Sequence, residues 1–139
     1  MKVEKLDHIA IRVKNLKEAN KFFAEVFGME FIQLGEIADA DARSSIESMG
    51  VEIIEPLTPN GVTAKAIEKG GEGLSLLSLK VTDLDEAAAE MKARGIRLVG
   101  KVENPGLSRA FIYHPKDTYG VMIELIEYKD KHPLAAMKK

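Results

Sequence analysis

One stretch of this chain is a near-copy of another. Leu6-Asp7-His8-Ile9-Ala10-Ile11-Arg12-Val13-Lys14-Asn15-Leu16 returns as Leu74-Ser75-Leu76-Leu77-Ser78-Leu79-Lys80-Val81-Thr82-Asp83-Leu84. The apolar positions Leu6, Ile9, Ile11, Val13 and Leu16 are matched by Leu74, Leu77, Leu79, Val81 and Leu84. Such a repeat restricts the fold to two equivalent modules, and duplicated folds usually place their chemistry where the modules meet. One polar residue is not copied: His8 falls on Leu76.

Periodicity around each copy gives the same plan twice. Alternating apolar residues over Leu6–Val13 predict a strand with Ile9, Ile11 and Val13 on its core face and His8, Ala10 and Arg12 on the other. Asn15 followed by Glu18 resembles a capping box, and Leu16, Ala19, Phe22, Phe23 and Val26 form an apolar stripe at helical spacing, ended by Gly28. Strands follow over Met29–Leu34, Ala42–Ser48 and Val51–Leu57, the last two joined as a hairpin at Met49-Gly50. A short helix is expected over Thr63–Lys69. The second half repeats this: strand Leu74–Val81, the capping pair Asp83 and Glu86, an apolar stripe through Leu84, Ala87, Ala88 and Met91, and strands over Ile96–Gly100, Arg109–His114 and Gly120–Tyr128. Phe22, Phe23, Phe27 and Met91 are expected as core-facing helix residues.

The resulting expectation is an α+β fold of two tandem βαβββ modules. Module one covers about residues 1–57, a connector 58–72, and module two 73–129, with a charged tail over 130–139. Each module alone is too small to close a core well. One domain over residues 1–129, with each sheet curled around a shared cleft and helices outside, satisfies that constraint.

Composition removes several function classes. The formal net charge of −2 offers no basic face for nucleic acid. Absence of cysteine excludes disulfides and thiolate metal sites. No apolar run reaches membrane-spanning length and no signal segment precedes the first strand, so a cytoplasmic protein without a membrane partner is expected.

Alternation also selects the lining of the expected cleft. Glu52 and Glu124 are equivalent in the repeat, since Glu52-Ile53-Ile54-Glu55 aligns with Glu124-Leu125-Ile126-Glu127. Each has apolar neighbours two residues away on its own strand, and a lone buried carboxylate needs a partner. One imidazole and two carboxylates, His8, Glu52 and Glu124, suit Co²⁺, Mn²⁺, Ni²⁺ or Zn²⁺, although a structural histidine and solvated glutamates give the same spacing. Arg12 and Lys80 are also equivalent; they either neutralise an anionic substrate or pair with Glu52 and Glu124. Glu55 and Glu127 read as solvated residues near strand ends.

The pieces Asp7-His8-Ile9-Ala10, Val51-Glu52-Ile53-Ile54-Glu55-Pro56-Leu57, Ala64-Lys65-Ala66-Ile67-Glu68-Lys69-Gly70-Gly71-Glu72-Gly73, Ile112-Tyr113-His114-Pro115-Lys116-Asp117 and Gly120-Val121-Met122-Ile123-Glu124-Leu125 span almost the whole chain. Together they resemble the vicinal oxygen chelate (glyoxalase/bleomycin resistance/dioxygenase) superfamily, and within it the methylmalonyl-CoA epimerases. The resemblance implies a glyoxalase-like fold, a homodimer, and an isomerase that removes and returns a proton α to a thioester of an acyl-CoA through an enolate. It also implies a divalent metal held by a first-strand histidine, a fourth-strand Gln or Glu, a second histidine and a final Glu. Three of these map onto His8, Glu52 and Glu124; the second histidine maps onto Leu76, which offers no donor and weakens the site. Glu124 and Glu47 are the candidate proton carriers. Arg12, Lys80, Leu76, His114 and Lys116 are the candidate substrate contacts. A metal-free small-molecule binding protein of the same fold, or a different glyoxalase-type lyase, are the competing expectations.

Overall fold

A computed structural model describes residues 1–129; the expected tail over 130–139 lies outside the described residues. The order is β1 (Val3–Arg12), α1 (Leu16–Phe27), β2 (Phe31–Ile37), β3 (Ala42–Glu47), β4 (Val51–Pro56), α2 (Val62–Gly70), β5 (Gly73–Val81), α3 (Leu84–Ala93), β6 (Leu98–Asn104), β7 (Ser108–Tyr113) and β8 (Met122–Glu127). The expected βαβββ plan is therefore present twice. Single 3₁₀ turns occupy Ala38–Ala40 and Pro115–Asp117. The chain forms two compact units, one of residues 8–75 and the other of residues 1–7 with the chain from Leu76 onward.

In the unit of residues 8–75, the strands run in the order β2-β3-β4-β1. Here β1 is parallel to β4, from Ile9 opposite Val51 to Arg12 opposite Ile54, and β3 is antiparallel to both β4 and β2. In the other unit the order is β6-β7-β8-β5, with β5 parallel to β8 from Leu76 opposite Met122 to Lys80 opposite Ile126. Its β7 is antiparallel to β8 and β6. Each outer hairpin carries one register shift, between Gln33 and Gly35 opposite Ser45 and Ser44, and between Leu98 and Gly100 opposite Tyr113 and Ile112, two positions apart in the repeat. A repeated sequence has given a repeated backbone.

Of the helices, α1 and α3 each start at a side-chain cap, as the pattern predicted, whereas α2 starts at Gly61 without one. Asn15 Oδ1 accepts the Glu18 N–H at 3.0 Å, and Asp83 Oδ1 accepts that of Glu86 at 3.0 Å. A second carboxylate reaches both α1 and α3 from the sheet: Leu16 N–H donates to Glu55 at 3.1 Å and Leu84 N–H to Glu127 at 3.0 Å. Glu55 and Glu127 thus satisfy orphan amides where the helix dipole favours negative charge. Arginine from the neighbouring strand completes both groups, with Arg43 at 3.0 Å from Glu55 and Arg109 at 3.6 Å from Glu127. The sequence reading of these glutamates as merely solvated is corrected by this cross-strand geometry. Gly28 ends α1 at φ 68°, in the left-handed region that glycine adopts without strain.

Under α1, Val13, Leu16 and Ile53 form the core, with Ile11, Ala19 and Phe23 against it. Under α3, Val81, Leu84, Ala87, Met91, Phe111, Tyr113 and Leu125 form a larger cluster. One expectation fails here. Phe22 and Phe27 do not join the core: they are 52% and 59% exposed, as is Val26 at 57%. The stripe predicted for α1 is wider than the face the sheet covers, so its edges stay in solvent. At the matching positions of α3 the repeat carries Glu90, Arg94 and Gly95.

Candidate active site

Within each unit, strand alternation separates a face packed on a helix from its opposite. In the unit of residues 8–75, Ile11, Val13 and Ile53 face α1, which leaves His8, Ala10, Ser44, Ile46 and Glu52 for the other side. His8 is 9% exposed, and its Nε2 lies 3.9 Å from Glu52 Oε1. The other oxygen of Glu52 accepts a hydrogen bond from the fully buried Ser44 hydroxyl at 3.0 Å. The imidazole is cationic only when protonated, and at 3.9 Å its contact with Glu52 is longer than a hydrogen bond.

In the other unit, Val81, Phe111, Tyr113 and Leu125 face α3, and Leu76, Ser78, Ala110, Glu124 and Ile126 occupy the opposite side. Glu124 is 8% exposed. Its Oε1 accepts the hydroxyl of Ser78, itself fully buried, at 2.7 Å. Glu124 stands opposite Ser78 in the β5–β8 ladder, and Leu76 stands opposite Met122 on the same side. A carboxylate with Met122 and Ile126 two residues away on its own strand needs such a partner, and a hydrogen bond to a charged group contributes about 1.5–3 kcal/mol.

The remaining candidates have partners of their own. Arg12 Nε donates to the Gly71 carbonyl at 2.8 Å and Nη1 to that of Leu74 at 3.4 Å. Gly70 permits this approach, because a Cβ there would sit 2.8 Å from Nη2. Lys80 forms an ion pair with Glu4, depressing the Glu4 carboxyl through that hydrogen bond, and lies 4.6 Å over the Tyr128 ring. These contacts engage Arg12 with backbone carbonyls and Lys80 with Glu4 and the Tyr128 ring. Tyr128 donates to Asp7 at 2.7 Å, and burial pushes its phenol well above the ordinary range, reinforced by that carboxylate. His114 Nδ1 accepts the Lys116 N–H at 3.1 Å within the 3₁₀ turn, and the Lys116 side chain is exposed.

Glu47 does not join this face. It alternates with Ser44 and Ile46, and both its oxygens are turned into the hairpin, accepting from the Ser48 hydroxyl at 3.0 Å and the Met49 N–H at 2.6 Å. A groove of about 410 Å³ beside the start of α1, lined by Lys14, Glu18, Phe22 and Glu72 among others, contains none of the candidate residues. Ser44 and Ser78 are the residues that sequence reasoning missed. The only signal for Ser78 was that a polar residue stood where the first copy has Ala10.

The Glyoxalase/Bleomycin resistance protein/Dioxygenase superfamily matches residues 7–113. The chain belongs to this superfamily. It is 30% identical to an uncharacterized protein YqjC of Bacillus subtilis, covering 94% of this chain and 97% of that one. It is 26% identical to the mitochondrial methylmalonyl-CoA epimerase of Dictyostelium discoideum, over 90% of this chain and 79% of the relative. Among solved structures, methylmalonyl-CoA epimerase from Mycobacterium tuberculosis matches with a TM-score of 0.82 at 32% identity, covering 96% of this chain and 93% of that one. The α+β glyoxalase-like fold expected from the repeat is the fold of this chain.

The vicinal oxygen chelate resemblance implies a divalent metal, and the donor set here does not fit one. Leu76 has no donor atom at the position of the second histidine, and Glu124 Oε1 is engaged by Ser78. Among the described residues, no three His, Asp or Glu side chains are gathered closely enough to hold an ion. His8 and Glu52 remain a two-donor pair. Among the same residues no helix is long and apolar enough to cross a membrane.

Proposed function

We propose that this chain is an epimerase- or isomerase-type enzyme that removes and returns a proton α to the thioester of a small acyl-CoA. One observation carries the reading. Each half buries, on the face away from its helix, a glutamate anchored by a serine hydroxyl, in a chain whose relatives include methylmalonyl-CoA epimerases.

The step assigned to Glu124 is proton abstraction. The α C–H bond breaks, a carboxyl O–H forms, and the C–H electron pair moves into the enolate, ending on the thioester oxygen. Return of a proton to either face of the planar carbon, from the Glu124 carboxyl or from water, restores the thioester with either configuration. A carboxylate in this role contributes roughly 10²–10⁴-fold. No step is routed through a metal, because the donor set falls short. The acyl-CoA substrate class and a homodimeric assembly come from the resemblance; sedimentation or light scattering checks the latter.

Incubation of the protein with methylmalonyl-CoA in D₂O tests the reaction. Deuterium at the α-carbon, lost in Glu124→Gln, is the expected result. No exchange by the wild-type protein, with or without Co²⁺, overturns it. Leu76 beside Met122 and Glu124 favours the second reading, a metal-free small-molecule binding protein of the same fold. Saturable acyl-CoA binding without exchange would select that one.

A further inference from the structure

The two halves hold their glutamates with hydroxyls from opposite sides. Glu52 pairs with Ala10 on β1 and Ile46 on β3, with Ser44 one same-face position beyond Ile46; Glu124 pairs with Ser78 on β5 and Ile112 on β7, with Ala110 one same-face position beyond Ile112. Ala10 is the repeat equivalent of Ser78, and the β3–β4 and β7–β8 registers make Ser44 the equivalent of Ala110. Each half therefore keeps one serine and one alanine beside its carboxylate, in exchanged positions, and all four are buried. The repeat preserves the number of hydroxyls and reverses their direction.

Uniform solvation or packing does not require this exchange. A buried carboxylate can be satisfied from either flank, so either arrangement would serve stability alone. The flank decides which way the carboxylate turns. Ser44 takes Oε2 of Glu52 and leaves Oε1 toward His8, whereas Ser78 takes Oε1 of Glu124 from the β5 side. On the same side of β5, Leu76 offers no donor, so no hydrogen bond from that side chain orients Glu124.

We propose that Ser78 is a positioning residue for Glu124, setting the direction in which its carboxylate meets the substrate. This rests on the proton-transfer reading above. A misplacement of about 1 Å can cost about 10²-fold in rate, which sets the expected effect.

The experiment moves the hydroxyl from one flank to the other. Ser78→Ala is compared with Ser78→Thr and with the double variant Ser78→Ala/Ala110→Ser, by α-proton exchange of methylmalonyl-CoA and by thermal unfolding. The expected result is a kcat about 10²-fold lower with unchanged KM in Ser78→Ala, recovery in Ser78→Thr, and a double variant that regains stability without regaining kcat. A wild-type kcat in Ser78→Ala, or full rescue of kcat by the hydroxyl on Ala110, overturns the inference. Should wild type catalyse no exchange, the proton-transfer reading fails by itself. Ser78→Ala, Glu124→Gln and their combination then decide the contact by stability: non-additive losses support the anchoring, and additive losses overturn it.

Discussion

The two halves of this chain agree wherever they build and disagree wherever they could react. Glu55 and Glu127 both hold a helix N-terminus, each with a neighbouring arginine, and the outer hairpin of each half carries one register shift. At the glutamates on the opposite face the symmetry stops: His8 against Leu76, Ala10 against Ser78, Ser44 against Ala110. Scaffold positions answer to constraints that both halves share, namely orphan amides, a dipole and a packed face. Under the proposed function the opposite face answers to a ligand, which has no reason to be symmetric.

The sharpest strain on this comparison comes from the cores. Leu16 and Leu84 are equivalent and buried, so Leu16→Ala and Leu84→Ala should each lose about 2–5 kcal/mol in urea titrations. A loss at one position and none at the other would mean that the modules are alike in outline only. Next come the strand-borne caps. Glu55→Ala and Glu127→Ala should cost similar amounts, about 1 kcal/mol each, because each exposes a helix N–H to the loss of a carboxylate.

Two smaller effects belong to the second half alone. Tyr113 sits at the repeat position of Glu47, buried in the α3 core, and its hydroxyl has no hydrogen-bond partner among the described residues. Burial pushes that phenol above its ordinary range. Tyr113→Phe should therefore be neutral or stabilising by up to about 1 kcal/mol; a clear loss in thermal midpoint would reveal a partner. The longer β7–β8 connection holds Asp117 against Arg97, at 2.8 Å and 3.0 Å, which keeps the carboxyl far below its ordinary range. A depressed folded-state value adds stability above the ordinary Asp range near pH 4 and loses it as pH falls through the folded value. The stability difference between wild type and Asp117→Asn should thus be present at pH 7 and shrink in acid. A difference independent of pH would assign the effect to packing of the turn.

Most of the fold could be read because the repeat supplied every element twice, so an ambiguous strand in one half was supported by its counterpart. The capping pairs Asn15–Glu18 and Asp83–Glu86 lie within one turn of sequence and were visible for that reason. Glu52 and Glu124 were each legible by alternation as lying on the strand face away from the helix of their own unit. Their serines were not, since Ser44 and Ser78 touch them across a ladder and a lone serine in a strand has no pattern. The same separation hid the partners of Lys80 and Arg12. Phe22 and Phe27 misled for a different reason: amphipathic spacing reports that a face is apolar, and the width that the sheet covers is a tertiary fact.

The division of the chain has a consequence for its synthesis. The unit of residues 8–75 is continuous and can assemble from residues already made. Residues 1–7 precede this unit in the sequence, yet they belong to the other one. Met1 pairs with Glu90 at 2.7 Å, the Lys2 carbonyl accepts from Thr82 at 3.1 Å, and Asp7 accepts from Tyr128 at 2.7 Å. The leading segment must wait for nearly the whole chain before its own contacts exist. Contacts of such separation close late and slowly, so docking of residues 1–7 is expected to follow formation of the unit of residues 8–75.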